Sequence, residues 1–142
     1  GRMRILIING PNLDLLGSRE PHIYGTTSFG DYLVALRARF PQADLSYHQS
    51  NVEGELVQLL RGSQGAYDGI ILNAAGYSHS SVALRDSSSV LTIPVVEVHI
   101  SNIHAREEFR HNTLTGAVCA GVITGFGLEG YRLALEHLLH RA

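Results

Sequence analysis

The sequence predicts an α/β fold, a doubly wound five-stranded parallel sheet with helices on both faces, and three observations carry that reading. Apolar runs of strand length alternate along the chain with stretches whose apolar residues recur at helical spacing. Four of the five runs are near-continuous, as expected of strands buried on both faces of a parallel sheet. The length, 142 residues, suits one domain with a single core and room for four or five strand–helix units. That domain is expected to span residues 3–142, with Met3 as the native start and Gly1 and Arg2 foreign to it.

The first strand is Ile5-Leu6-Ile7-Ile8. It breaks into a polar stretch from Asn9 to Gly25, punctuated by glycine and proline. So long a connection without helical period is uncommon in a compact domain, and the part bracketed by Gly17 and Gly25, which carries Arg19 and Tyr24, reads as a lid. Phe29, Leu33, Leu36 and Phe40 then fall at helical spacing behind Ser28, an expected N-cap, and Pro41 stops the helix.

Residues 43–49 alternate as a short strand, and 53–60 place Leu56, Leu59 and Leu60 on one helical face that ends at Gly62 and Gly65. Gly69-Ile70-Ile71-Leu72 is the third strand, ending at Asn73. A loop over 74–79 leads to a helix over 80–90 with Ser80 as its cap, although Ser87, Ser88 and Ser89 are weak helix formers. The fourth strand covers 94–100, opened by a proline that a first strand position tolerates. The fifth covers 118–124 and precedes a last helix with Leu133, Leu135, Leu138 and Leu139.

Composition excludes several functions. Net charge is −2, with no basic block or aromatic-interleaved basic stripe, so nucleic acid is not an expected partner. No apolar run reaches membrane-spanning length and no leader pattern opens the chain, so a soluble, cytoplasmic protein is expected and no membrane partner. Charged residues are only 17% of the chain while apolar ones are 44%, against about 25% charged in ordinary domains. Part of the surface is therefore expected to be covered by other subunits.

The lone cysteine, Cys119, excludes an internal disulfide and lies in an apolar run, where core filling suits it better than nucleophilic work. All eleven cationic residues are arginine. Without lysine, neither a Schiff base nor a P-loop phosphate grip is available.

In doubly wound sheets ligands bind beyond the carboxyl ends of the strands, near the switch in strand order. Polar residues gather at those ends: Asn9 and Asn12 after the first strand, Asn73 and His79 after the third, His99, Ser101 and Asn102 after the fourth. Helix capping accounts for Ser80 and Asn102, but not for two histidines and an arginine-bearing loop at one edge. His99 is the candidate acid or base because histidine titrates nearest neutrality, and Glu97 two positions earlier shares its face of the strand. Alone, His99 would better suit a core histidine, and its company reverses that reading in favour of chemistry.

Glu97, His99, His104 and His111 offer metal-ligand chemistry at no recognisable spacing. His104 and His111 sit in a charged segment that reads as solvated or subunit-facing. Gly125-Phe126-Gly127-Leu128-Glu129-Gly130 matches a dinucleotide fingerprint but lacks the following strand with its acidic residue, so a tight turn into a closely packed helix is the better reading. Gly76-Tyr77-Ser78-His79-Ser80 lacks the second glycine of a nucleophile elbow.

Four motifs stand in order: Asn9-Gly10-Pro11-Asn12-Leu13; Arg19-Glu20-Pro21 with Tyr24-Gly25; the run from Ser78 through Arg85 to Asp86; and the run from Glu97 through His99, His104 and Arg106 to Arg110. With them the chain resembles the type II 3-dehydroquinate dehydratases over nearly its whole length. The resemblance implies a flavodoxin-like subunit assembled from trimers into a homo-dodecamer, dehydrating 3-dehydroquinate to 3-dehydroshikimate in the shikimate or quinate pathway with no cofactor and no metal.

It further implies Tyr24 as the base at C2, Arg19 as the cation that makes a phenol basic enough, Asn12 as holder of a water at the enolate, and His99 as the acid on the C1 hydroxyl with Glu97 behind it. Asn73, His79, Ser101 and Arg110 would bind substrate, the amides of Ile100 and Ser101 its carboxylate, and Asp86 would reach a neighbouring subunit's site. Asp14, Ala74-Ala75-Gly76 and Thr115-Gly116-Ala117 depart from the family pattern without removing any of these residues. The rival reading is a non-catalytic flavodoxin-like module for a small anionic ligand.

Overall fold

A computed structural model describes residues 1–16 and 27–141. Its strands are β1 (Met3–Asn9), β2 (Ala43–Gln49), β3 (Gly69–Asn73), β4 (Val95–His99) and β5 (Gly121–Thr124), and its helices α1 (Phe29–Arg39), α2 (Glu53–Arg61), α3 (Val82–Ser89) and α4 (Glu129–Leu139). The sheet order is β2-β1-β3-β4-β5, and the pairings are parallel. From β1 the chain crosses to β2 on one side and returns to β3 on the other, so the switch in order lies at the β1–β3 edge.

Side chains alternate across a strand, and both sides of this sheet are covered. Ile5, Ile7, Ile71, Val96 and Val98 pack with Leu33 and Leu36 of α1 and with Tyr131 and Leu135 of α4. Leu6, Ile8, Ile70 and Leu72 face the other way, onto Leu56 and Leu60 of α2 and Leu84 of α3. This double burial explains the uninterrupted apolar runs of β1 and β3. Each such side chain contributes about 1.5–3 kcal/mol relative to exposure, so the sheet and its four helices stand or fall together.

Two of the four described helices, α1 and α3, start on a serine side-chain cap. Ser28 accepts from the Asp31 amide at 3.2 Å, as expected. The expected cap at Ser80 is corrected to Ser81, whose hydroxyl accepts from the Leu84 amide at 3.0 Å. The Ser80 amide donates to the Tyr77 carbonyl instead, closing a 3₁₀ turn over Ala75–His79. The serine run is helical, with the Ser87 and Ser89 hydroxyls turned back onto the carbonyls of Ala83 and Asp86, both at 2.8 Å.

Two strands are shorter than expected. β4 occupies 95–99 rather than 94–100. β5 begins at Gly121, not 118, because Gly116–Val118 forms a 3₁₀ turn. The cause is tertiary: the Thr115 hydroxyl bonds the Glu97 carboxylate, which draws this part of the apolar run out of strand register. At the far end of β5, Gly125 (φ 97°) and Gly127 (φ 61°) take left-handed backbone, and their amides donate to the carbonyls of His99 and Ile100. The glycine-rich segment thus turns the chain from β5 into α4, as expected from its sequence. Among the described residues no helix is long and apolar enough to cross a membrane.

Candidate active site

At the carboxyl ends of β1, β3 and β4 the structure opens a cleft of about 470 Å³. The β1 wall begins at Gly10, whose amide donates to the Asn73 carbonyl at 2.7 Å. A Cβ at this glycine would lie 2.6 Å from the Ala74 carbonyl oxygen, so no side chain fits. Asn12 follows in left-handed backbone at φ 68°, a region asparagine tolerates better than most residues. Its amide donates to Asn51 Oδ1 at 2.9 Å, and Gln49 Nε2 braces both Asn51 Oδ1 (3.0 Å) and the Gly10 carbonyl (3.1 Å). The first strand's loop is thereby pinned to the end of β2 with Asn12 on the cleft wall.

The β3 wall starts with Asn73, which is buried. Its Oδ1 accepts from the Ala75 amide at 3.1 Å, and Ala75 lies at φ 53°. The turn Ala75–His79 carries His79 into the cleft. His79 Nδ1 meets the Asn112 carbonyl at 2.9 Å. A carbonyl only accepts, so Nδ1 carries the proton and Nε2 is the acceptor of the neutral ring. Burial, aided by the charges of His99 and Arg110, outweighs the Asn112 carbonyl and Glu97 and holds the His79 imidazole below its ordinary range.

From β4 come Glu97 and His99, two positions apart and on one face. The His99 Nε2–Glu97 Oε2 distance is 2.9 Å, with Glu97 0% and His99 5% exposed. Thr115 donates to the other carboxylate oxygen. Burial pushes the Glu97 carboxyl up, but the bonds from His99 and Thr115 prevail and leave it below its ordinary value. A carboxylate on Nε2 fixes the tautomer and orientation of the ring, leaving Nδ1 as the nitrogen for a bound molecule. The His79 and His99 rings lie 5.9 Å apart.

Of the site residues expected from sequence, Asn12, Asn73, His79, His99, Ile100, Ser101 and Arg110 line this one cleft. Glu97 stands behind His99. Asp86 is exposed on α3, away from the lining. Arg19 and Tyr24 lie outside the described residues. Asn9, grouped with the cleft by sequence position, is instead wholly buried and receives the Tyr131 hydroxyl at 2.7 Å.

Sequence reasoning missed four contributors. Asn51 and Arg106 line the cleft, while Thr115 and Tyr131 brace residues of its walls. Asn51 follows the β2 end and was open to the same strand-end argument, whereas Arg106 lay in a segment read as solvated or subunit-facing. Among the described residues no cluster of three or more His, Cys, Asp or Glu side chains can hold a metal ion. Burial and the nearby Glu97 charge push the Cys119 thiol up to about 12, a protonated and unreactive state.

A doubly wound sheet whose strand ends gather a carboxylate-tied histidine and two arginines around one cleft is the architecture of a flavodoxin-like α/β enzyme. The chain belongs to the class II dehydroquinase family, whose model matches residues 3–139. It is 53% identical over 138 residues to a 3-dehydroquinate dehydratase of an Exiguobacterium species, covering 96% of this chain and 94% of that one. It is 48% identical over 136 residues to catabolic 3-dehydroquinase 1 of Aspergillus terreus, covering 94% and 90%. The crystal structure of the type II dehydroquinase of Propionibacterium acnes superposes with a TM-score of 0.93 at 40% identity, over 99% of this chain and 100% of that one.

Proposed function

We propose that this chain, acting as a single catalytic domain over residues 3–142, eliminates water from 3-dehydroquinate to give 3-dehydroshikimate, non-covalently and through an enolate. The observation that carries the reading is the Thr115–Glu97–His99 chain at the cleft: an imidazole locked by a buried carboxylate with one nitrogen left for substrate. Family membership supplies the substrate class. The absence of lysine agrees with a route that forms no imine.

In this scheme Tyr24 removes the proton at C2, next to the ketone, with Arg19 favouring its phenolate. The resulting enolate is met by a water held by Asn12. Fixed donors at a developing oxyanion are worth about 10²–10³ in rate. His99, doubly protonated with its Nε2–H held by Glu97, gives its Nδ1 proton to the C1 hydroxyl, which leaves as water, and Glu97 positions the ring. Arg110, His79, Asn73 and Ser101 grip the substrate, with the backbone amides of Ile100 and Ser101 on its carboxylate.

Asp86, exposed on α3, would act in a neighbour's site within a dodecamer built from trimers. Exposed Val82 on the same helix and exposed Phe126 beyond β5 are suited to cover by other subunits. The reaction is assigned to the cytoplasm.

The roles separate in kinetics. Tyr24→Phe should lower kcat by about 10²–10⁴ with little change in substrate binding. Arg110→Ala should instead raise KM about tenfold or more, the scale of a lost charge-assisted hydrogen bond. Small, equal effects from both would place the chemistry elsewhere.

A further inference from the structure

We infer that Tyr131 is a positioning residue: its buried hydroxyl sets the Asn73 amide and, through it, the turn that presents His79 beside His99. The inference rests on the reading of the cleft as the dehydratase site, and it concerns a residue that does not line that cleft.

Tyr131 is 0% exposed, and its ring packs edge-on against Phe29 at 4.9 Å, contacts a phenylalanine would make equally well. The hydroxyl needs another account. Its proton goes to Asn9 Oδ1 at 2.7 Å, and Asn9 Nδ2 in turn donates to the Tyr47 hydroxyl at 3.3 Å. With the proton so committed, the phenolic oxygen is left as an acceptor and takes Asn73 Nδ2 at 2.9 Å.

That contact fixes the Asn73 amide with nitrogen toward α4 and oxygen toward the Ala75 amide. Ala75 sits at φ 53°, sparsely populated for a residue with a Cβ, and the Asn73 bond holds it there. The turn from Ala75 ends at His79, whose ring lies 5.9 Å from that of His99. A hydroxyl on the last helix is thus linked through two hydrogen bonds to the placement of a cleft histidine.

Tyr131→Phe tests this directly. KM for 3-dehydroquinate should rise about tenfold while kcat stays within about twofold, as one hydrogen bond's worth of substrate grip is lost. The His79 imidazole signals in nitrogen-15 NMR should shift in the same variant without ligand. Asn9→Leu, which frees the Tyr131 proton, should repeat both changes. Tyr47→Phe, which removes a hydroxyl one step beyond Asn9, should leave both as in the parent.

A Tyr131→Phe protein that melts lower yet keeps KM, kcat and the His79 signals would make Tyr131 purely structural and overturn the inference. Should Tyr131→Phe not fold, unchanged His79 signals in Asn9→Leu would overturn it equally. Should the parent chain fail to turn over 3-dehydroquinate, the functional reading falls, and the His79 signals alone decide the positioning claim.

Discussion

Glu97 is a wholly buried carboxylate, and its cost is offset chiefly by the bonds it receives from His99 and Thr115. Removing one donor with Thr115→Val should destabilise the fold by about 1–3 kcal/mol, the cost of an unsatisfied buried acceptor, measurable by denaturant titration. The folded carboxyl titrates below its ordinary 4.5, so on acidification the unfolded chain takes up the proton first. The stabilisation is complete above pH 4.5 and is lost as pH falls through the folded value. Glu97→Gln should therefore flatten the acid limb of a stability–pH curve; an unchanged acid limb would assign acid sensitivity to other groups. The pairing of Glu97 with His99 was legible because a strand repeats every two residues. Thr115 was not, because it lies 18 positions from Glu97 and meets it only after β4 and the following loop have folded.

At the scale of elements, the strands and helices were readable wherever local chemistry and burial agreed. The runs of β1 and β3 show double burial directly, and Ser28 followed by a helical period marks the start of α1. The reading slipped where a tertiary contact decided: β5 lost its first residues to the turn drawn toward Glu97, and the α3 cap moved one residue because Ser80 closes the preceding 3₁₀ turn. Ser81→Ala should cost about 1 kcal/mol of stability, while Ser80→Ala should cost much less; equal costs would contradict the cap assignment. Gly10→Ala should destabilise by about 1–3 kcal/mol through overpacking, since its Cβ meets the Ala74 backbone. A Gly10→Ala protein as stable as its parent would show that the β1–β3 edge yields more easily than its close packing implies.

For the whole molecule, sheet order brings three strand ends together; a site beyond the carboxyl ends was foreseeable from the alternation of strands and helices and from the polar residues that follow the first, third and fourth strands. Which residues reach into it was only partly foreseeable. Histidines and asparagines at strand ends announce themselves, but Tyr131 looks in sequence like one more core residue of an amphipathic helix. Its hydroxyl matters only once α4 packs on the sheet and carries it to Asn9 of β1 and Asn73 of β3. Assembly belongs to this scale too, and sedimentation should report a dodecamer; a monomer with full activity would remove Asp86 from the scheme. The central claim, that this cleft dehydrates 3-dehydroquinate, is tested most directly by adding that substrate to the purified assembly and following ultraviolet absorbance of the conjugated enone. Absorbance should grow catalytically and fall by orders of magnitude with His99→Asn, whereas no growth from the correctly assembled protein would contradict the account.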